Sequence, residues 1–249
     1  MKKMLKVAAV LAAILMAFTL GACSDGDDGG SGSGGGGGGS GSGKPQGETF
    51  KKFDVSKDGD YYVNKAGEIS AEEKDGYVFK VDIRLGDKYN PYNCELKEYT
   101  GNDSSLSIPE GVTYISGKVF DGCEELKSVT LPKGIRSIYE KAFNECTALT
   151  TVEFKGVLHT GYTIDDTYVT LNGYIGDYAF NNCDKLVTVK YAGTKEQWNS
   201  IEPSSEYSTA ITGNIFYTNE DYFGKRVTVE CKDGKLKAGG VNGYFEDAD

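Results

Sequence analysis

The sequence predicts a solenoid of stacked coils, because one phrase containing Phe, Cys and Leu recurs along the chain. Its three copies run over residues 119–126, 142–149 and 179–186. Cys123 and Cys146 are 23 residues apart, and Cys146 and Cys183 are 37 apart. A period in this range is typical of stacked units that share one core. The third unit therefore keeps the 23-residue frame and adds 14 residues.

Each unit is predicted to contain one β-strand followed by a turn and a short return. Residues 126–132 alternate apolar and polar side chains, as a half-buried strand does, and Pro132 ends the run. Ile135 and Ile138 then supply the return, and Phe143 lies in the next turn. Stacking such units would bury their apolar side chains in one column.

The second unit resembles the repeats of the BspA-like leucine-rich repeat family. The matching residues are Leu131, Pro132, Ile135, Ile138, Ala142, Phe143, Cys146 and Leu149. Residues 191–201 and 227–234 are similar to the terminal segments of that family, so the resemblance covers about residues 96–235. It implies a short leucine-rich repeat solenoid of about three 23-residue repeats, each a β-strand plus a short helix or turn, with β-rich N- and C-terminal caps.

The chain divides into five segments by composition and pattern. They are a lipoprotein signal peptide (1–22), a Gly/Ser-rich tether (23–47), an N-terminal β-rich region (48–105), the repeats (106–191) and a C-terminal capping segment (192–249). The capping segment is expected to cover the last apolar face and the open strand edge that a solenoid leaves. The lone Trp198 is interpreted as part of that cover.

The N-terminus indicates export and lipid anchoring. Lys2, Lys3 and Lys6 precede an apolar run that is too short for a confident membrane span. The run ends at Cys23 in a sequence that resembles a bacterial lipoprotein box, so Cys23 is expected to carry the lipid. The following Gly/Ser coil of about 20 residues would reach about 25 Å. Ser24 resembles the residue that directs bacterial lipoproteins to the outer membrane, and Asp25, Asp27 and Asp28 resemble acidic surface-export tags. These resemblances imply an envelope location at the outer membrane and the cell surface, with attachment to the membrane through the lipid on Cys23.

The charge of the chain disfavours nucleic acid as a partner. Removing residues 1–22 takes away three lysines, so 24 basic residues face 37 acidic ones and the formal charge becomes −13. A polyanion such as DNA would be repelled by this balance. A monomer without nucleic-acid binding is expected.

No constellation of residues predicts an enzyme, a cofactor or a metal site. His159 is the only histidine, so a serine triad has one candidate base and no histidine pair is available for a metal. No zinc spacing such as Cys-x-x-Cys is present. Equivalent cysteines of stacked coils point in parallel, so Cys123, Cys146 and Cys183 are predicted to be buried free thiols. For Cys94 and Cys231, the sequence is compatible with either a free thiol or a disulfide.

The insertion at residues 156–173 is the candidate binding segment. Tyr162, Tyr168 and Tyr174 recur every six residues, and in an extended hairpin they would share one face. Tyrosine is favoured at interfaces, and Asp165 and Asp166 lie between the first two tyrosines. The alternative is a hairpin whose tyrosines only shield the coil beneath.

Two functions are compatible with these features. The resemblance implies a non-catalytic protein-binding module that adheres to host or bacterial surface macromolecules, because members of the family are associated with adhesion to extracellular-matrix proteins and to other bacteria. The ligand would be a protein or a glycan. The alternative is a structural envelope lipoprotein that organises other surface proteins and has no host ligand.

Overall fold

The computed structural model describes residues 51–86, 92–164, 167–201, 215–218, 221, 224, 226–238 and 245–248. The predicted signal peptide, Cys23 and the tether lie outside these ranges. All described residues belong to the compact unit Gln46–Asp249. None of them forms a helix with the length and apolarity that a membrane crossing requires.

The described elements are mostly short strands. In chain order they are β1 (Gly59–Asn64), β2 (Ile69–Ser70), β3 (Tyr77–Arg84), β4 (Asn93–Tyr99), β5 (Ser105–Ser107), β6 (Tyr114–Ile115), β7 (Ser128–Leu131), β8 (Ser137–Ile138), β9 (Thr151–Phe154), β10 (His159–Ile164), β11 (Thr167–Asn172), β12 (Tyr174–Ile175), β13 (Thr188–Tyr191), α1 (Lys195–Asn199), β14 (Thr228–Cys231), β15 (Gly234–Ala238) and β16 (Phe245–Asp247).

Sheet A joins the N-terminal region to the repeats. Its strand order is β12-β8-β6-β4-β3-β1-β2, antiparallel among β1 to β4 and parallel from β4 onward. Strand β3 forms because its apolar residues alternate with polar ones, and Phe79, Val81 and Ile83 are fully buried. The N-terminal region therefore covers the open edge of the first repeat.

Sheet B carries the longer strand of each repeat. Its order is β16-β15-β14-β13-β9-β7-β5, and β5, β7, β9, β13 and β14 run parallel in the part of the chain described. Val129, Val152, Val189 and Val229 face inward at equivalent positions in successive strands. Leu236 of the antiparallel β15 extends this row of buried residues.

A stack of phenylalanine rings fills the turn side of the core. Phe120 and Phe143 lie 4.6 Å apart between ring centroids, and Phe143 and Phe180 lie 5.0 Å apart, both pairs nearly parallel. Phe216, from the C-terminal segment, continues the stack at 5.6 Å from Phe180. The repeated Phe of the sequence phrase is therefore a core residue, as the pattern predicts.

The turns beside this stack repeat an unusual backbone conformation. Glu145 and Asn182 have φ values of 58° and 54°, and Gly122 has a φ of 70° at the equivalent position. This left-handed region costs an ordinary side chain about 1–2 kcal/mol. Glu145 is thus held in a strained turn by the hydrogen bonds of the neighbouring repeats, including its own N–H to the Asn181 carbonyl at 2.8 Å.

The insertion forms an antiparallel hairpin of β10 and β11 that leaves the register of the repeats unchanged. Glycines stand on either side of it, at positions where the backbones approach closely. A Cβ at Gly156 would overlap the Lys133 backbone, and one at Gly173 would overlap Leu158. Larger residues at these two positions would therefore displace the hairpin from the sheets.

The C-terminal segment closes the core around Trp198. Helix α1 begins at a capping box formed by Thr194 and Gln197, which fixes the helix start. The Trp198 ring is 1% exposed and meets Phe154, Tyr191 and Phe245 edge to face. Trp198 is therefore a core residue, in agreement with its structural interpretation.

Candidate binding surfaces

A row of three tyrosines lies on the outer side of sheet A. Ile115, Ile138 and Ile175 point into the core from β6, β8 and β12. Tyr114, Tyr139 and Tyr174, each adjacent to one of these isoleucines, remain partly exposed. The centroids of Tyr114 and Tyr139 are 6.3 Å apart, and those of Tyr139 and Tyr174 are 6.1 Å apart. We call these three residues the tyrosine row.

Tyr139 is the most exposed member of the tyrosine row, with 38% of its surface accessible. Partial burial raises the pKa of its hydroxyl, and the nearby Glu95 carboxylate and the two neighbouring tyrosines raise it further. The hydroxyl therefore stays protonated at neutral pH and can donate a hydrogen bond to a partner. The row combines apolar ring area with polar tips.

The outer face of sheet B is polar throughout. The strand register aligns five hydroxyl residues in one column, namely Ser105, Ser128, Thr151, Thr188 and Thr228. The Ser128 hydroxyl is 2.9 Å from that of Ser105. A second column, two residues further along each strand, contains Thr130, Glu153, Lys190 and Glu230. We call this surface the polar face.

A shallow groove of about 450 Å³ lies where the strands of the polar face end. Lys133, Lys155, Lys190 and Lys232 line it, together with Glu153 and Glu230. Glu230 forms an ion pair with Lys235, with 2.9 Å between the carboxylate Oε1 and the ammonium Nζ. The groove is therefore locally positive on a chain whose formal charge is −10.

Only one of the candidate residues proposed from the sequence has a described side chain. Tyr174 lies in β12 and belongs to the tyrosine row. Tyr162 and Tyr168 lie in β10 and β11, for which the structure gives the backbone. Asp165, Asp166 and the lipidation residue Cys23 lie outside the described residues.

The expectation that Tyr162, Tyr168 and Tyr174 share one hairpin face is wrong. Tyr162 pairs with Val169, and Tyr168 pairs with Thr163. Since neighbouring residues of a strand alternate between the two sides of a sheet, these register positions place Tyr162 and Tyr168 on opposite sides. Tyr174 lies beyond the hairpin, in sheet A. The even spacing of six residues fails because β10 and β11 pair antiparallel, with Ile164 opposite Thr167.

Tyr114 and Tyr139 were not identified from the sequence. They occupy different positions of the repeat, one before and one after the inward isoleucine, so a search for identical positions misses them. The usable signal is an aromatic residue next to the buried isoleucine of each return strand. That pattern occurs at Tyr114-Ile115, Ile138-Tyr139 and Tyr174-Ile175.

The five described cysteines are free thiols, including Cys94 and Cys231. Cys146 and Cys183 are buried as predicted, whereas Cys123 is only half-buried. The Cys146 thiol donates to the Phe120 carbonyl at 3.1 Å, and the Cys183 thiol donates to the Phe143 carbonyl at the same distance. Burial raises the pKa of Cys123 to about 11. The Cys146 and Cys183 thiols thus join one repeat to the preceding one, and buried thiols of this kind are poor nucleophiles.

No group of three His, Cys, Asp or Glu side chains within the described ranges could hold a metal ion. The surfaces that the structure does show are an aromatic row and a charged, hydroxyl-rich sheet. Both are suited to binding a macromolecule by surface contact.

Parallel strands stacked with repeating Phe, Cys and Leu positions define a leucine-rich repeat protein. The family model for the BspA type leucine rich repeat region matches residues 97–231 with six copies, which is more than half of the 249 residues. The chain belongs to this family. The six copies exceed the three or so expected from the sequence phrase.

Solved structures of leucine-rich repeat proteins are similar to this chain at low identity. A protein from Bacteroides capillosus ATCC 29799 has 20% identity over 62% of this chain and 94% of its own, with a TM-score of 0.40. A T. pallidum protein has 19% identity over 53% of this chain and 64% of its own, with a TM-score of 0.36. Comparison with curated proteins found no match.

Proposed function

We propose that this chain is a surface lipoprotein, anchored by a lipid on Cys23, whose repeats stack as a short solenoid with β-rich caps. It acts as a non-catalytic protein-binding module in adhesion to host or bacterial surface macromolecules. Family membership supports the binding role, and the N-terminal sequence supports export and anchoring. The observation that carries the proposal is the tyrosine row.

The tyrosine row has the composition of a protein-binding surface. Tyrosine is enriched in the centre of interfaces and among the residues that dominate binding energy. Three rings about 6 Å apart present a continuous aromatic strip, and Tyr139 is one of three large apolar side chains exposed among the described residues. The row also adjoins the base of the insertion, because β12 follows β11 directly.

The location is tested on intact cells that produce the full chain. Protease or a specific antibody added outside is expected to cleave or label the protein without breaking the envelope. Protection until the envelope is broken would rule out adhesion and favour the structural alternative, an envelope component that organises other proteins.

The binding surface is tested by substituting the tyrosine row. Tyr139→Ala/Tyr174→Ala in the full chain is expected to weaken adhesion to immobilised extracellular matrix or to bacterial cells by about thirtyfold, as loss of about 2 kcal/mol at an interface centre would do. Tyr77→Ala, a half-buried tyrosine in β3, is the matched control and is expected to bind normally. Equal binding by wild type and the double variant would exclude the row.

The insertion is tested separately with Tyr162→Ala/Tyr168→Ala. Reduced adhesion would extend the binding surface from the tyrosine row to the hairpin. Unchanged adhesion would remove the hairpin from the surface and leave the row as the binding site.

A further inference from the structure

The hairpin of β10 and β11 has the longest open strand edges among the described elements. Each strand has six residues, and the two pair only with each other in the part of the chain that the structure describes. The outermost strands of sheets A and B are shorter, since β2 and β12 have two residues each and β5 and β16 have three. An open edge presents unpaired N–H and C=O groups that another strand can bind.

The edges of this hairpin lack the features that usually prevent strand pairing. Proteins protect open edges with charged side chains, proline, bulges or short length. The sequences of β10 and β11 contain no Lys, Arg, Asp, Glu or Pro, and their register shows no bulge. By contrast, the edge strand β16 carries Glu246 and Asp247. The hairpin is therefore open to pairing with a further strand.

The register also gives the hairpin one largely apolar side. Tyr162 pairs with Val169, and Thr160 pairs with Leu171. Because side chains alternate along a strand, these four positions and that of Ile164 lie on the same side. The positions of the opposite side are mostly polar, namely His159, Gly161, Thr163, Tyr168, Thr170 and Asn172. A two-stranded hairpin is only marginally stable in water, so further strands beside this apolar side would stabilise it.

Strand β11 offers the better of the two edges. Its first four residues are Thr, Tyr, Val and Thr, which are types enriched in strands. Strand β10 contains Gly161, and glycine weakens a strand interior. Strand β11 is also followed directly by β12, which carries Tyr174 of the tyrosine row.

A second copy of the chain fits the edge of β11. In an antiparallel pairing of β11 with β11 of another copy, a two-fold axis at Val169 would place Thr167 opposite Leu171. Tyr168 would lie opposite Thr170, and aromatic and β-branched residues make favourable cross-strand pairs. Directly opposite residues share one side of a sheet, so the apolar sides of the two hairpins would join.

The charge of the protein is compatible with this pairing. The formal charge of −10 on each copy opposes self-association. Screening at physiological salt limits that repulsion to about 8 Å. The paired strands themselves carry no charged residue, so no like charges meet across the axis.

We propose that two copies of this protein associate through β11, forming a sheet of four strands in the order β10-β11-β11-β10. The contact is small compared with the 1,200–2,000 Å² or so that stable complexes bury, so the dimer is weak and forms at high protein concentration. It is an alternative to the monomer expected from the sequence. It goes beyond the proposed adhesion, although a dimer would present two tyrosine rows and two linked sites bind a surface more tightly than one.

The test is disulfide cross-linking of the purified full chain under mild oxidation with copper phenanthroline. Protein concentrations of about 1 to 200 µM cover the range expected for a small interface. Val169→Cys places two thiols opposite each other on the axis, where the Cα atoms are about 5 Å apart and within disulfide reach. It is expected to give at least about fivefold more covalent dimer than wild type, whose own cysteines set the background.

Tyr162→Cys is the matched control, because its position lies on the same side of the same hairpin but in β10. In the dimer, the two copies of this residue are three strand spacings apart, or about 14 Å. A disulfide cannot span that distance. Tyr162→Cys is therefore expected to stay at the wild-type background.

A mixture of two single variants tests the register. Thr167→Cys and Leu171→Cys lie opposite each other between copies that pair around Val169. Each residue lies about 13 Å along the strand from its own counterpart in the other copy. The mixture is expected to cross-link, whereas each variant alone stays at the wild-type background.

Three results would overturn the proposal. They are no excess of dimer for Val169→Cys over wild type, equal cross-linking of Val169→Cys and Tyr162→Cys, and a mixture that cross-links no better than its components. Absence of cross-linking in every variant would assign the edge to a strand of another protein or to none. Thermal unfolding verifies that the variants are folded, and the mixture decides if Val169→Cys is not. None of these readouts involves adhesion, so failure of this proposal is distinct from failure of the proposed function.

Discussion

Individual residues of the turns show how the repeat controls backbone shape. Gly122, Glu145 and Asn182 share one left-handed conformation, although only glycine adopts it without cost. Asparagine tolerates it better than glutamate because its short side chain makes local hydrogen bonds. Glu145 is therefore the least favourable of the three residues for its position.

Glu145→Asn is expected to stabilise the protein by up to about 1 kcal/mol, because it relieves part of the left-handed strain. Glu145 is exposed, so the substitution removes no core packing. Thermal or urea unfolding of the full chain measures the change. Glu125→Asn, at an exposed position without positive φ, is the control and is expected to leave stability unchanged. Equal effects of the two substitutions would refute strain as the cause.

Most residues of the candidate binding surfaces could not be predicted from the sequence. The buried Phe and Cys positions follow directly from the repeated phrase, and the structure confirms Phe143, Cys146 and Cys183 as core residues. The tyrosine row does not follow from it, because Tyr114 and Tyr139 come together only when two return strands pair. The groove lysines are likewise brought together by strand register.

Among the elements, the phenylalanine stack connects the three units that carry the repeated phrase and the C-terminal segment. Phe143 lies between Phe120 and Phe180, with both rings nearly parallel to its own. Removing the middle ring leaves a cavity that neither neighbour can fill without moving its own repeat.

Phe143→Ala is expected to destabilise the protein by about 3–5 kcal/mol. Phe143→Leu keeps more of the volume and is expected to cost clearly less. Denaturant unfolding of both variants at equal protein concentration measures the difference. A loss below about 1 kcal/mol for Phe143→Ala would show that the stack contributes little to stability.

Element positions were predicted well where the repeat is regular. The strand expected at residues 126–132 is β7 at Ser128–Leu131, ended by Pro132 as predicted. The parallel strand β5 is not predicted from the sequence, because no Phe, Cys and Leu phrase precedes it. Residues 227–234 were expected to form a closing strand over the open strand edge, and β14 at Thr228–Cys231 pairs with β13 there. Tertiary pairing, rather than local pattern, places β5.

For the whole molecule, the C-terminal segment is part of the core. It contributes Trp198, which packs against Phe154 of β9, and Phe216, which ends the phenylalanine stack. Strand β14 also pairs with β13 and covers its edge. The repeats therefore lack a complete core without this segment.

Deleting residues 191–249 is expected to abolish cooperative thermal unfolding, followed by circular dichroism. Deleting residues 24–43, which lie outside the compact unit Gln46–Asp249, is the control and is expected to leave the transition unchanged. A truncated chain that still melts in one sharp transition would show that the repeats are stable alone.

The hairpin of β10 and β11 also marks a position at which the repeats accommodate an inserted segment. Tyr174 pairs with Ser137 just as Tyr114 does, and Thr151 pairs with Thr188 just as it does with Ser128, so both sheets continue past the hairpin without adjustment. Gly156 and Gly173 let the chain leave and rejoin the sheets in close contact with the neighbouring backbone. Segments of different length and sequence can therefore be exchanged between these two glycines while the repeats keep their pairing.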